Sequence, residues 1–134
     1  MNVRFDKDNH DELNLPEFSL HDAALGGISF DRAHGMLNAW IALDSGAMAV
    51  IKYEGVVGVE LTNCAYWGYS ERVHCWHSAS EGERTLIEAL FASPDSSCEL
   101  CMLKGKSEYI EIVTEFISGD RLRVACESVT LDIL

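Results

Sequence analysis

His74-Cys75-Trp76-His77 sets three side chains that bind metals or carry protons within four consecutive positions. If the segment is extended, Cys75 and His77 share one face, because side chains alternate along a strand. A zinc centre on His74, Cys75 and His77 would need a further ligand converging from elsewhere, and the sequence names none. The competing reading is an aromatic and histidine-rich surface patch. Cys98-Glu99-Leu100-Cys101 has the spacing at which paired thiolates share an ion or join each other. On a strand, residues three apart face opposite ways and no second pair follows, so these read as buried or half-buried strand cysteines.

His21-Asp22 pairs a base with a carboxylate that would orient it, but no nucleophile stands in known relation to either. A turn in which Asp22 or Ser19 accepts backbone N–H bonds is the stronger reading. Gly68-Tyr69-Ser70 is not a nucleophile elbow, because Arg72 stands where the second glycine belongs. Gly105-Lys106-Ser107 fails as a phosphate loop, with Leu100 at the first glycine position and a strand to follow. No residue receives a catalytic role and no cofactor is implied. An enzyme, which would rest on Cys75 or His21 in a cleft, is the least supported class.

The large rings offer a different chemistry. Tyr66, Trp67, Tyr69 and Trp76 fall in a stretch with no clean period, and such rings supply contact area at interface centres for little entropy cost. They are the candidate partner-binding residues. Trp40 is assigned to the core.

The chain has 134 residues, with 10 Lys+Arg against 22 Asp+Glu and a formal charge of −12. That length fits a single domain with a core of its own. The acidic surplus repels phosphate backbones and favours basic partners, so nucleic acid is not an expected ligand. No stretch has the apolar length of a membrane helix, and Met1-Asn2-Val3-Arg4-Phe5-Asp6 lacks the apolar centre of a secretory signal. A cytoplasmic protein is expected, with its five cysteines reduced.

The elements that must position these residues are mostly strands. Residues 1–19 carry no sustained period and read as a loosely ordered acidic arm. Strands follow over Ala24–Asp31, Met36–Leu43 and Ala47–Tyr53, with a fourth lined by Val57, Val59 and Leu61 and ending near Thr62-Asn63, separated by turn residues. Gly26-Gly27 suggests a bulge in the first of them. Met36–Leu43 is apolar on both parities, which predicts burial on both faces or a self-association surface, and a homodimer would hide it.

Leu86, Ile87, Leu90 and Phe91 give residues 81–92 the stripe of a short helix behind a Ser80-x-x-Glu83 cap, although a strand buried on both faces also fits. A strand is expected over Cys98–Lys104. Tyr109–Ile117 and Arg121–Cys126 form a hairpin about Ser118-Gly119-Asp120, and the apolar parity then flips near Glu127-Ser128, where a bulge or bend is expected. The fold class is mainly β, α+β at most: one antiparallel meander sheet or partly closed barrel of seven to eight strands with at most one short helix.

Phe18-Ser19-Leu20-His21-Asp22-Ala23, Trp67-Gly68-Tyr69-Ser70 and Ile117-Ser118-Gly119-Asp120, spread over residues 18 to 130, resemble small bacterial β-rich proteins. Some of these are grouped with the immunity proteins of polymorphic toxin systems. The resemblance implies a non-enzymatic module that binds a protein, a basic toxin among the candidates. The alternative is a small-molecule or metal-binding β-domain using residues 74–77.

Overall fold

A computed structural model describes residues 2–62, 72–92 and 104–134. Alternating apolar residues there become nine strands: β1 (Asn2–Asp6), β2 (Ala24–Asp31), β3 (Met36–Ala42), β4 (Met48–Glu54), β5 (Gly58–Leu61), β6 (Val73–Ser78), β7 (Ile110–Phe116), β8 (Arg121–Cys126) and β9 (Ser128–Ile133). One helix, α1 (Thr85–Ala92), accompanies them among the described residues. The fold is mainly β with one short helix, as the patterning indicates. The strands divide between two antiparallel sheets, ordered β1-β9-β4-β3-β2 and β5-β8-β7-β6, where one meander or a part-closed barrel was the expectation.

The division follows from parity. Leu122, Val124 and Cys126 of β8 are buried, as are Val129 and Leu131 of β9. Across Glu127 the buried register therefore moves by one residue. At that point the chain leaves the four-stranded sheet for the five-stranded one, and the Glu127 N–H bonds the Glu54 carbonyl at 3.0 Å. Each apolar side chain so buried contributes about 1.5–3 kcal/mol, so a one-residue slip of either strand would expose the whole set. The two inner faces share one core, in which Phe5, Tyr53, Ile112, Val124 and Leu131 meet.

The N-terminal residues depart from the loose arm read in the sequence. β1 pairs with β9 from Asn2↔Asp132 to Asp6↔Ser128. Phe5 and Leu13 are buried at 2% and 1% exposure. The period was missed because β1 is five residues long and two 3-10 turns, His10–Asn14 and Pro16–Phe18, follow it.

The bulge expected at Gly26-Gly27 is present as a register shift between Leu25 and Gly27 against β3. Trp40 is another correction. It is 40% exposed, on the outer face of the five-stranded sheet opposite Gly27 and Val50. Leu37, Ala39 and Ile41 take the inner parity of β3, so the Trp40 ring faces outward.

Residues 81–92 resolve in favour of the helix. α1 lies on the outer face of the four-stranded sheet, where Ile87 packs with Tyr109 and Ala125. Its N-terminal support comes from the sheet: Ser80 makes no side-chain cap bond to the 3-10 turn Glu81–Glu83 that it precedes, and Glu111 Oε1 accepts the Ile87 N–H at 2.8 Å. The strand expected at Cys98–Lys104 lies almost wholly outside the described residues. Among the described residues no helix is long and apolar enough to cross a membrane.

Candidate functional site

β6 is an edge strand that carries His74, Cys75, Trp76 and His77, and His21 reaches it from the side. A register shift at His74 separates Val73↔Phe116 from Cys75↔Glu115. Beyond that bulge, Trp76 points into the core and Cys75 and His77 point outward. Trp76 is 4% exposed and meets the Phe5 ring edge-on at 6.3 Å. It is therefore a core residue, and its place among the partner-binding rings is corrected. Tyr66, Trp67 and Tyr69 lie outside the described residues.

His74, Cys75 and His77 are not brought together as a ligand set. His74 is exposed and lines one groove with Glu115, Ile117 and Arg121, while Cys75 and His77 line another. The Cys75 thiol donates to Glu115 Oε2 at 3.0 Å and stands 3.7 Å from His77 Nδ1. Burial, reinforced by that carboxylate, pushes the thiol up to about 11, while the thiol's hydrogen bond holds the Glu115 carboxyl below its ordinary value. A thiol in that state is protonated at neutral pH, which suits neither nucleophilic attack nor ready metal capture. Among the described residues no group of three or more His, Cys, Asp or Glu side chains is arranged to hold a metal ion.

His21-Asp22 serves as a latch. The His21 Nδ1–H donates to the His74 carbonyl at 2.9 Å, and its Nε2 lies 3.6 Å from Asp22 Oδ2. Asp22 adopts a left-handed backbone, φ 65°, which lets its N–H reach the Val73 carbonyl at 2.8 Å. Ser19 Oγ accepts the His21 N–H at 3.3 Å, which matches the turn chemistry read in the sequence.

At the other end of β6, the Asn14 side chain clamps Ser78. Its Oδ1 accepts the Ser78 N–H at 2.7 Å and its Nδ2 donates to the Ser78 carbonyl at 3.3 Å. His10 Nδ1 meets Ser78 Oγ at 2.7 Å. Residues 14–21 thus form an arch pinned at both ends of the β6 edge, and under it lies a half-open groove of about 320 Å3. Leu13, Asn14, Leu15, Pro16 and Ser19 form one wall, with Cys75, Trp76 and His77 opposite. The sequence reading missed His10 and Asn14 as members of this site, since a polar arm has no period to announce that its side chains will stand in for a neighbouring strand.

Charge completes the picture. Six of the ten basic side chains, Arg4, Lys7, Lys52, Lys104, Lys106 and Arg123, pair with carboxylates of the chain itself. Among the described residues, Asp44, Glu54, Glu60, Glu81 and Glu83 are outside these pairs and exposed. On and beside the arch, Asp8, Asp11, Glu12 and Glu17 are all exposed.

No protein-family model and no curated protein matches this sequence. Among solved structures, the chain is similar to the crystal structure of an uncharacterized protein from Neisseria gonorrhoeae, at 11% identity over 100% of this chain and 99% of that one, with a TM-score of 0.48.

Proposed function

We propose that the protein is a cytoplasmic binding module that acts by contact, in the manner of an immunity protein, and that its partner is a basic protein. One observation carries the reading: the chain's cations are largely consumed by its own carboxylates, which leaves exposed acid beside a groove on an incompletely covered sheet edge. Such a surface raises the association rate with a basic partner and repels acidic ones. The protonated Cys75 thiol and the latch role of His21-Asp22 support a contact function over a catalytic one.

Size-exclusion chromatography of the protein mixed with the products of its neighbouring genes provides the test. Co-elution with a basic product, weakened by added salt, is the expected result. Separate elution of every such product at low salt would overturn the proposal.

A further inference from the structure

The ladder between β6 and β7 fixes where each backbone group of β6 points. The Ala79 N–H bonds the Glu111 carbonyl at 2.9 Å, so Ala79 faces β7, and alternation then turns Ser78 away, His77 toward and Trp76 away. Ser78 spends its outward N–H and carbonyl on Asn14, and the His74 carbonyl is taken by His21. Among the described residues, neither a backbone nor a side-chain group takes the outward N–H and carbonyl of Trp76. These two groups open into the groove under the arch.

We infer that this gap accepts a short extended segment of a basic partner, one of whose residues hydrogen-bonds both outward groups of Trp76. This rests on the partner-binding reading above and specifies its contact. Pairing of that kind adds a strand residue to an edge, with the main chain supplying affinity and flanking side chains supplying choice. The pins at Asn14 and His21 limit the insert to about three residues, roughly 10 Å of extended chain.

The residue opposite Trp76 points its side chain the same way as the Trp76 ring, toward a core in which Leu13, on the groove's other wall, is buried. A glycine suits that position. Its two neighbours face outward beside Cys75 and His77, with Glu115 one strand further on, Glu17 exposed on the arch and Glu12 exposed just before it. Lysine or arginine suits both, so the preferred insert reads basic, glycine, basic.

The 15N-labelled protein titrated with acetyl-Lys-Gly-Lys-amide reads the Trp76 amide directly. The Trp76 resonance is expected to move to saturation. The same peptide with N-methylglycine, which lacks the donor for the Trp76 carbonyl, is expected to bind about tenfold more weakly, the fold-change of one lost hydrogen bond. Acetyl-Glu-Gly-Glu-amide is expected to leave that resonance in place. An unmoved Trp76 amide at millimolar lysine peptide, or equal responses to all three peptides, would overturn the inference. A partner that co-elutes with the protein yet leaves the Trp76 amide unchanged would also overturn it, while the broader binding reading stood.

Discussion

Replacing Arg123 tests how the site face is held to the rest of the fold. Glu111 is 0% exposed, with one carboxylate oxygen on the Ile87 N–H and the other on the Arg123 guanidinium. Breaking a buried ion pair by removing one partner costs about 3–5 kcal/mol. The Arg123 side chain is 12% exposed, so Arg123→Met belongs near the lower figure, about 3 kcal/mol. Glu111→Met also removes the acceptor of the Ile87 N–H, about 1 kcal/mol more.

The double variant should cost less than either single change, because two apolar side chains of similar length replace the pair and no charge is left buried alone. Urea unfolding followed by tryptophan fluorescence measures all three. With a slope of about 2 kcal/mol per molar, Arg123→Met lowers the midpoint by about 1.5 M. Single-variant losses under about 1 kcal/mol, or a double variant equal to the sum of the singles, would refute the reasoning.

Three further outcomes follow from the geometry. Gly55 has φ 63°, and a Cβ there would overlap the Glu127 carboxylate, so Gly55→Ala should cost about 1–3 kcal/mol by thermal or urea unfolding. With its thiol raised from 9.0 to about 11, Cys75 should alkylate about a hundredfold more slowly than an unperturbed thiol at neutral pH, and Glu115→Gln should speed it, as read by mass spectrometry of the Cys75 peptide. Glu115 titrates below its ordinary 4.5 because the Cys75 thiol donates to it, so its contribution to stability is complete above that value and is lost as pH falls through the lower, folded value. Cys75→Ala should accordingly flatten the acid side of the stability profile.

The strands were legible wherever a run was long enough to alternate. Ile110 to Phe116 and Leu122 to Cys126 announce their hairpin, and Gly119, φ 91°, sits where the turn demands it. The parity flip at Glu127 was visible too, although a flip signals a bulge and a change of sheet equally. Trp40 was misplaced because hydrophobicity alone does not say which face of a strand another layer covers. Trp76 was misplaced because a bulge at His74 resets alternation, and nothing in His74-Cys75-Trp76-His77 marks the bulge. The arch of residues 14–21 was opaque for a different reason: its hold on β6 consists of side-chain bonds from Asn14 and His21 across more than fifty positions, to which local periodicity is blind.

Hydrogen–deuterium exchange of the protein with and without a basic neighbouring gene product tests the central claim most directly, because it reports which backbone becomes covered. Slowed exchange over residues 8–22 and 74–77 is the predicted result, its size falling as salt is added. Protection confined to the outer face of the five-stranded sheet, around the exposed Trp40 and Met48, would contradict the account.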